Sequence, residues 1–204
     1  MSTKVILLGI LGLVVVLIIA AVMTFSGTYN SLVTLDQAAQ AQWAQVENVY
    51  QRRADLVPNL VATVKGAADF EKSTLTAVTE ARAKVGQVTQ GALENATNNP
   101  AAMERFQQAQ DGLSSALSRL MVVVEKYPDL KATQNFRDLQ AQLEGTENRI
   151  SVERMRFNDA ARAFNTKRDS FPTTMIAGFF GEKFNSKVYF KAASGAEKAP
   201  EVKF

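Results

Sequence analysis

Hydrophobic and polar positions divide this chain into one uncharged apolar run followed by a series of amphipathic stripes. From Val5 to Met23 the sequence reads VILLGILGLVVVLIIAAVM, without a charged residue. About 20 such residues, coiled as a helix, cross a hydrocarbon core of about 30 Å. From Tyr29 onward apolar residues recur at Leu32, Leu35, Ala39, Trp43, Val46, Tyr50, Ala54, Val57, Val61 and Val64. Every step is three or four residues, the spacing of one helical face. The pattern predicts an amphipathic helix over 26–66 that the membrane run feeds directly. Pro58 lies inside it, deletes the backbone hydrogen bond to Ala54 and favours a bend. The stripe nevertheless keeps its phase from Tyr50 to Val64, so one kinked helix is expected rather than two.

Three further stripes follow. Leu75, Val78, the aliphatic stem of Arg82, and Val85 predict a second helix that fades near Gly91. Gly66-Ala67-Ala68-Asp69 reads as the turn before it, with Asp69 as cap. Asn95 to Asn99 is loop chemistry, and Asn99-Pro100 reads as a cap followed by the first helical position. Met103, Phe106, Leu113, Leu117, Leu120 and Val124 line a third helix that Tyr127-Pro128-Asp129 ends. Phe136, Leu139, Leu143, Ile150, Phe157, Ala161 and Phe164 line a fourth, from Leu130 to Arg168.

Four stripes with short connections predict an all-α fold: an N-terminal transmembrane helix leading into an elongated, antiparallel, up-down-up-down four-helix bundle. The corresponding ranges are a short N-terminus (1–4), a transmembrane signal anchor (5–23), the bundle domain (26–168), an aromatic, membrane-proximal segment (169–190) and a flexible tail (191–204). A cleaved signal peptide is the competing reading of the start. Its apolar core is usually only about 7–15 residues long and ends in an A-x-A-like site. The run here is longer and no such site follows it, which favours a retained anchor.

Composition narrows the chemistry. The 204 residues hold 23 Lys+Arg against 20 Asp+Glu, a net charge of only +3, which gives no sign of the dense basic patch of a nucleic-acid binder. Cysteine and histidine are both absent. Disulfides, thiol nucleophiles, thiolate or imidazole metal ligands and Ser-His-Asp or Cys-His catalysis are thereby excluded. No phosphate-cradling glycine loop or nucleophile elbow is visible. The sequence therefore predicts no catalytic residues, no metal and no cofactor.

Two groups of residues stand out. Arg52, Arg53, Asp55, Pro58 and Asn59 can share a face around the proline, and Glu71 and Arg82 are read as a pair across the bundle. The first group serves either as an interaction cluster or, more simply, to satisfy the carbonyl freed by the proline and lock the first helix onto a partner; the Glu71–Arg82 pair is most simply structural. At the other end, Arg162, Lys167 and Arg168 precede an apolar-aromatic segment containing Phe171, Phe179 and Phe180. If the helices alternate in direction, this end returns to the membrane beside the start of the first stripe. Basic residues followed by aromatics suit a headgroup interface; the alternative is a solvated helix face with aromatics plugging the open end of the bundle.

Three blocks together resemble the LemA family of bacterial membrane proteins. They are Tyr29-Asn30 with Trp43 and the run RRADLVPNLV (52–61); Lys65-Gly66-Ala67-Ala68-Asp69-Phe70-Glu71 with Ala81-Arg82; and Phe171-Pro172, Ala177, Phe180-Gly181 and Tyr189-Phe190. The second block departs from the family pattern, carrying Ala67 and Phe70 where a tyrosine and a histidine are common. The resemblance implies one membrane helix, a helical-bundle domain and no established catalysis. It also implies a soluble domain on the cytoplasmic side for some members. Lys4 is the only basic residue near the anchor, and the positive-inside rule sets the domain outside, as a periplasmic or extracytoplasmic part of an inner-membrane protein. The functional expectation is a non-enzymatic envelope protein of single-pass topology. It touches the lipid bilayer, forms a homo-oligomer through its coiled-coil-like helices, and binds no nucleic acid. An accessory subunit of a membrane protease or other envelope enzyme is the alternative, and a carboxylate- or lysine-based hydrolase is the third class.

Overall fold

A computed structural model describes residues 3–66 and 71–191, with side chains throughout except at 3–6 and 89–95. The described residues are mostly helical and contain no strand. In chain order the helices are α1 (Thr3–Lys65), α2 (Lys72–Ala96), α3 (Pro100–Val124), the single turn α4 (Pro128–Lys131), α5 (Gln134–Asp169) and α6 (Thr173–Phe179), followed by a 3-10 turn, Gly181–Phe184.

The apolar run and the first stripe are one helix. α1 passes through Pro58 without interruption, and its N-terminal part is long and apolar enough to cross a membrane. Between Leu7 and Met23 the large apolar side chains are exposed, as a lipid-facing surface requires. From Leu32 the exposure reverses: Leu32, Ala39, Trp43, Val46, Tyr50, Ala54, Val57 and Val64 are buried.

Three boundaries differ from the sequence expectation. α2 continues past Gly91 to Ala96; one glycine costs about 1 kcal/mol against alanine, too little to stop a helix held by its neighbours. The fourth stripe starts with the separate turn α4, and α5 begins only at Gln134. Thr133 makes the break, donating its hydroxyl to the Leu130 carbonyl at 2.7 Å and accepting from the Phe136 amide at 3.4 Å. Third, a short helix and a 3-10 turn order the aromatic segment after α5. The start of α3 is as read: Asn99 caps it by accepting from the amides of Ala101 at 3.0 Å and Ala102 at 3.3 Å, with Pro100 in the first turn. The Asp69 cap, the Ala67 and Phe70 positions and the tail beyond Lys191 lie outside the described residues.

The chain forms two compact units. The first comprises Met1–Ala41 and Ala160–Ser186, the second Gln42–Asp159 and Lys187–Phe204. In the second, residues of α1, α2, α3, α4 and α5 share one core built on Leu60, Val64, Val78, Leu113, Leu120 and Phe136. In the first, Leu32, Phe164, Ala177 and Phe184 form a small core with Tyr29, Val33, Leu35 and Phe180 packed against it.

Candidate functional site

In the second unit the polar centre is Arg53. Its position follows from helical phase: three residues after Tyr50 and four before Val57, it falls on the buried stripe. It is 1% exposed. One guanidinium nitrogen donates to Ser114 Oγ and to Glu147 Oε1, both at 2.7 Å. The other donates to the Gln110 carbonyl at 3.2 Å and to the Gln110 side-chain oxygen. The guanidinium also lies 5.1 Å from the centre of the Tyr50 ring. One residue of α1 thus binds α3 at two points and α5 at a third. A buried charge is tolerated when it is paired and hydrogen-bonded, and here the two terminal nitrogens make four acceptor contacts while the buried Nε meets none among the described residues.

The proline is satisfied from α2. The Ala54 carbonyl, which Pro58 cannot serve, accepts from Arg82 Nε at 2.9 Å. The expected Glu71–Arg82 pair is therefore not formed. Glu71 faces Lys126 at 3.5 Å instead, and Arg82 uses its head on the freed carbonyl while its stem runs along the helix. The cluster around Pro58 is also divided. Neighbouring residues on a helix differ by about 100° in direction. Arg52, Asp55, Pro58 and Asn59 are exposed while Arg53 points inward, so the five do not share a face. Asp55 accepts from Gln51 at 2.8 Å.

Beside the Arg53 centre is a pocket of about 220 Å³ lined by Glu47, Tyr50, Ala54, Val85, Phe106 and Gln110 among others. Burial raises both the Glu47 carboxyl and the Tyr50 phenol above their ordinary values. Next to it lies an aromatic cluster. Trp43 packs on Phe106 at 5.4 Å, Phe157 at 5.3 Å and Phe190 at 5.7 Å between ring centres. Phe190 arrives on a non-helical strap that the periodicity could not reveal. Asn158 donates to the Phe190 carbonyl at 3.1 Å and accepts from its amide at 2.9 Å. Val188 donates to the Thr97 carbonyl at 2.8 Å, and the buried Lys187 reaches Asn98 Oδ1 at 3.0 Å. Residues 187–190, read as part of the aromatic segment, belong to this unit.

In the first unit the aromatic segment closes on α1. Phe180 lies 6.1 Å from Phe25 and 4.9 Å from Tyr29, and Phe184 lies 5.7 Å from Tyr29. Gly181 supplies the turn between α6 and Phe184 with φ +55, a conformation glycine adopts freely. Arg168 donates to the Phe184 carbonyl and pairs with Asp169. Lys183 donates to the Tyr29 hydroxyl. Arg162 is exposed and Lys167 half-buried on α5, while Phe171 and Phe179 point outward.

Comparison with known proteins assigns the family, because residues 42–204 match the LemA family, most of the chain. This chain belongs to the LemA family. The magnetosome protein MamQ of Magnetospirillum gryphiswaldense is 28% identical over 186 residues, 83% of this chain and 68% of that protein. MamQ 2 of Paramagnetospirillum magneticum is 27% identical over 188 residues, 85% of this chain and 68% of its own length. Protein LemA of Metamycoplasma hominis is 24% identical over 153 residues, 75% of this chain and 65% of that one. The run RRADLVPNLV (52–61) contains the buried Arg53, Pro58, and Ala54, whose carbonyl Arg82 serves in place of the amide that Pro58 lacks.

Proposed function

We propose that this LemA-family chain is a non-enzymatic, membrane-anchored envelope protein that works as a self-associating helical scaffold or interaction module. One observation carries the reading: α1 is a single helix that joins the exposed apolar surface of Leu7–Met23 to the buried stripe beginning at Leu32. Anything the folded helices bind is then held to a bilayer by continuous hydrogen-bonded backbone. The placement of the polar residues supports it. Arg53 and Arg82, the groups with the most chemical capacity around Pro58, are engaged with Gln110, Ser114, Glu147 and the Ala54 carbonyl. Exposed Val122 on α3 and Val152 and Met155 on α5 offer apolar surface for contacts between copies.

In this reading the long helices make an elongated antiparallel four-helix bundle. The apolar part of α1 spans the bacterial inner membrane, and the domain lies on the periplasmic or extracytoplasmic side. Light scattering of the full chain in a detergent or nanodisc is expected to give more than one copy per particle; a strict monomer would remove self-association. A reporter fused at the C-terminus decides the side of the membrane. Cross-linking that recovered a membrane protease in place of further copies would favour an accessory subunit over a scaffold.

A further inference from the structure

We infer that α6 makes a second membrane contact, with Phe171, Met175 and Phe179 inserted at the headgroup boundary of the bilayer that holds α1. This rests on the anchored reading above and extends it to a surface outside the spanning run. The three side chains are 81%, 68% and 80% exposed. Met175 and Phe179 are four apart on the exposed face of α6 and Phe171 lies in the turn just before it, while Thr173, Ile176 and Ala177 of the helix are buried. A short helix that buries Thr173, Ile176 and Ala177 and still turns Met175 and Phe179 outward presents the apolar surface of an interfacial element.

Continuity identifies the occupant. Phe180, directly after α6, packs on Phe25 and Tyr29 of α1. Phe25 is itself 42% exposed and follows the end of the uncharged run at Met23 by two residues. The outward aromatics are thus fastened to the point where α1 leaves its apolar stretch, at the depth where aromatic rings gather in membrane proteins.

Charge assigns a secondary role to anionic lipid. Among the described side chains of this unit, Arg162, Lys167, Arg168 and Lys183 stand against Asp36, Asp169 and Glu182. Arg168 is paired with Asp169, and Lys183 sits 4.9 Å from the centre of the Tyr29 ring. Apolar insertion should therefore dominate, and the contact should persist in zwitterionic membranes.

The absence of cysteine makes the test direct, since any introduced thiol is unique. A nitroxide at Phe179→Cys in the full chain, reconstituted into phosphatidylcholine vesicles with and without phosphatidylglycerol, should be relaxed more by dissolved oxygen than by an aqueous nickel chelate. The expected depth is about 5–10 Å into the headgroup–acyl boundary in both lipids. A label at Leu13→Cys reads the anchor separately. Hydrocarbon at Leu13 with water at Phe179 overturns the inference and leaves the anchor standing. Water at both overturns the two together. A Phe179 label shielded from both relaxants, with spin–spin broadening that disappears on dilution with unlabelled chain, assigns the face to a second copy and overturns the lipid contact.

Discussion

The two aromatic groups of this protein use the same kinds of side chain to opposite ends. In the second unit Trp43, Phe106, Phe157 and Phe190 are all buried and interlocked. In the first, Tyr29, Phe180 and Phe184 interlock in the same way, but Phe171 and Phe179 of the same short segment face outward. Rings that close a core contribute by excluding water from one another. Phe171 and Phe179 lie outside that closure, with Phe179 set edge-on to the packed Phe180 ring at 5.4 Å, and in the proposed membrane contact they meet an external apolar phase. Aromatic content therefore separates stability from attachment within a single chain.

The sharpest way to break that contrast is Phe157→Ala, which empties a fully buried site and should cost about 3–5 kcal/mol in denaturant unfolding. Next comes Arg53→Leu. It leaves Gln110 without its partner and Glu147 unpaired; because Glu147 is partly exposed and can rehydrate, the expected loss is about 2–3 kcal/mol. Arg82→Ala should cost about 1–2 kcal/mol by orphaning the Ala54 carbonyl. Pro58→Ala restores an amide for that carbonyl, so a double-mutant cycle should show Arg82→Ala costing less in the alanine background. Additive behaviour there would sink the assignment of Arg82 to the freed carbonyl.

Tyr50 gives a pH signature. Burial raises its phenol, with Arg154 and Arg53 opposing and Asp111 and Glu147 reinforcing. A raised pKa means the neutral form is the one the fold prefers. Its contribution is complete below the ordinary value of 10.0 and is lost as pH climbs through the higher folded value. Tyr50→Phe should flatten that alkaline fall in melting temperature. The smallest effect is expected from Phe171→Ser with Phe179→Ser, within about 0.5 kcal/mol of the parent in unfolding. A large destabilisation there would mean that the outward rings serve the fold after all.

Much of this was legible in the sequence for a physical reason: a helix repeats every 3.6 residues, and burial writes that period into the apolar positions. Leu32 to Val64, Met103 to Val124 and Phe136 to Phe164 were read from spacing alone. Arg53 was grouped on one face with Arg52, Asp55 and Asn59 because the residues cluster in sequence around Pro58, whereas the structure buries it and exposes the others. Its phase between Tyr50 and Val57 held the contrary signal. The head of Arg82 could not be placed because its acceptor is a backbone carbonyl, which has no letter in a sequence. The strap at 187–190 was missed because a non-helical segment of four residues has no period to detect, and Thr133 was passed over because one hydroxyl decides that break.

That strap also bears on how the molecule comes into being. Trp43 and Phe190 are 190 − 43 = 147 positions apart, yet their rings stack. Synthesis proceeds from the N-terminus, and early segments begin to fold while later ones are still being made. The apolar part of α1 emerges first, whereas the pocket around Trp43 stays open until almost the last described residue has been added. Closing so long a loop is slow compared with pairing neighbouring helices. A nascent chain therefore presents its apolar run long before its core is complete, and a ribosome that stalls before Phe190 leaves an intermediate with Trp43 uncovered.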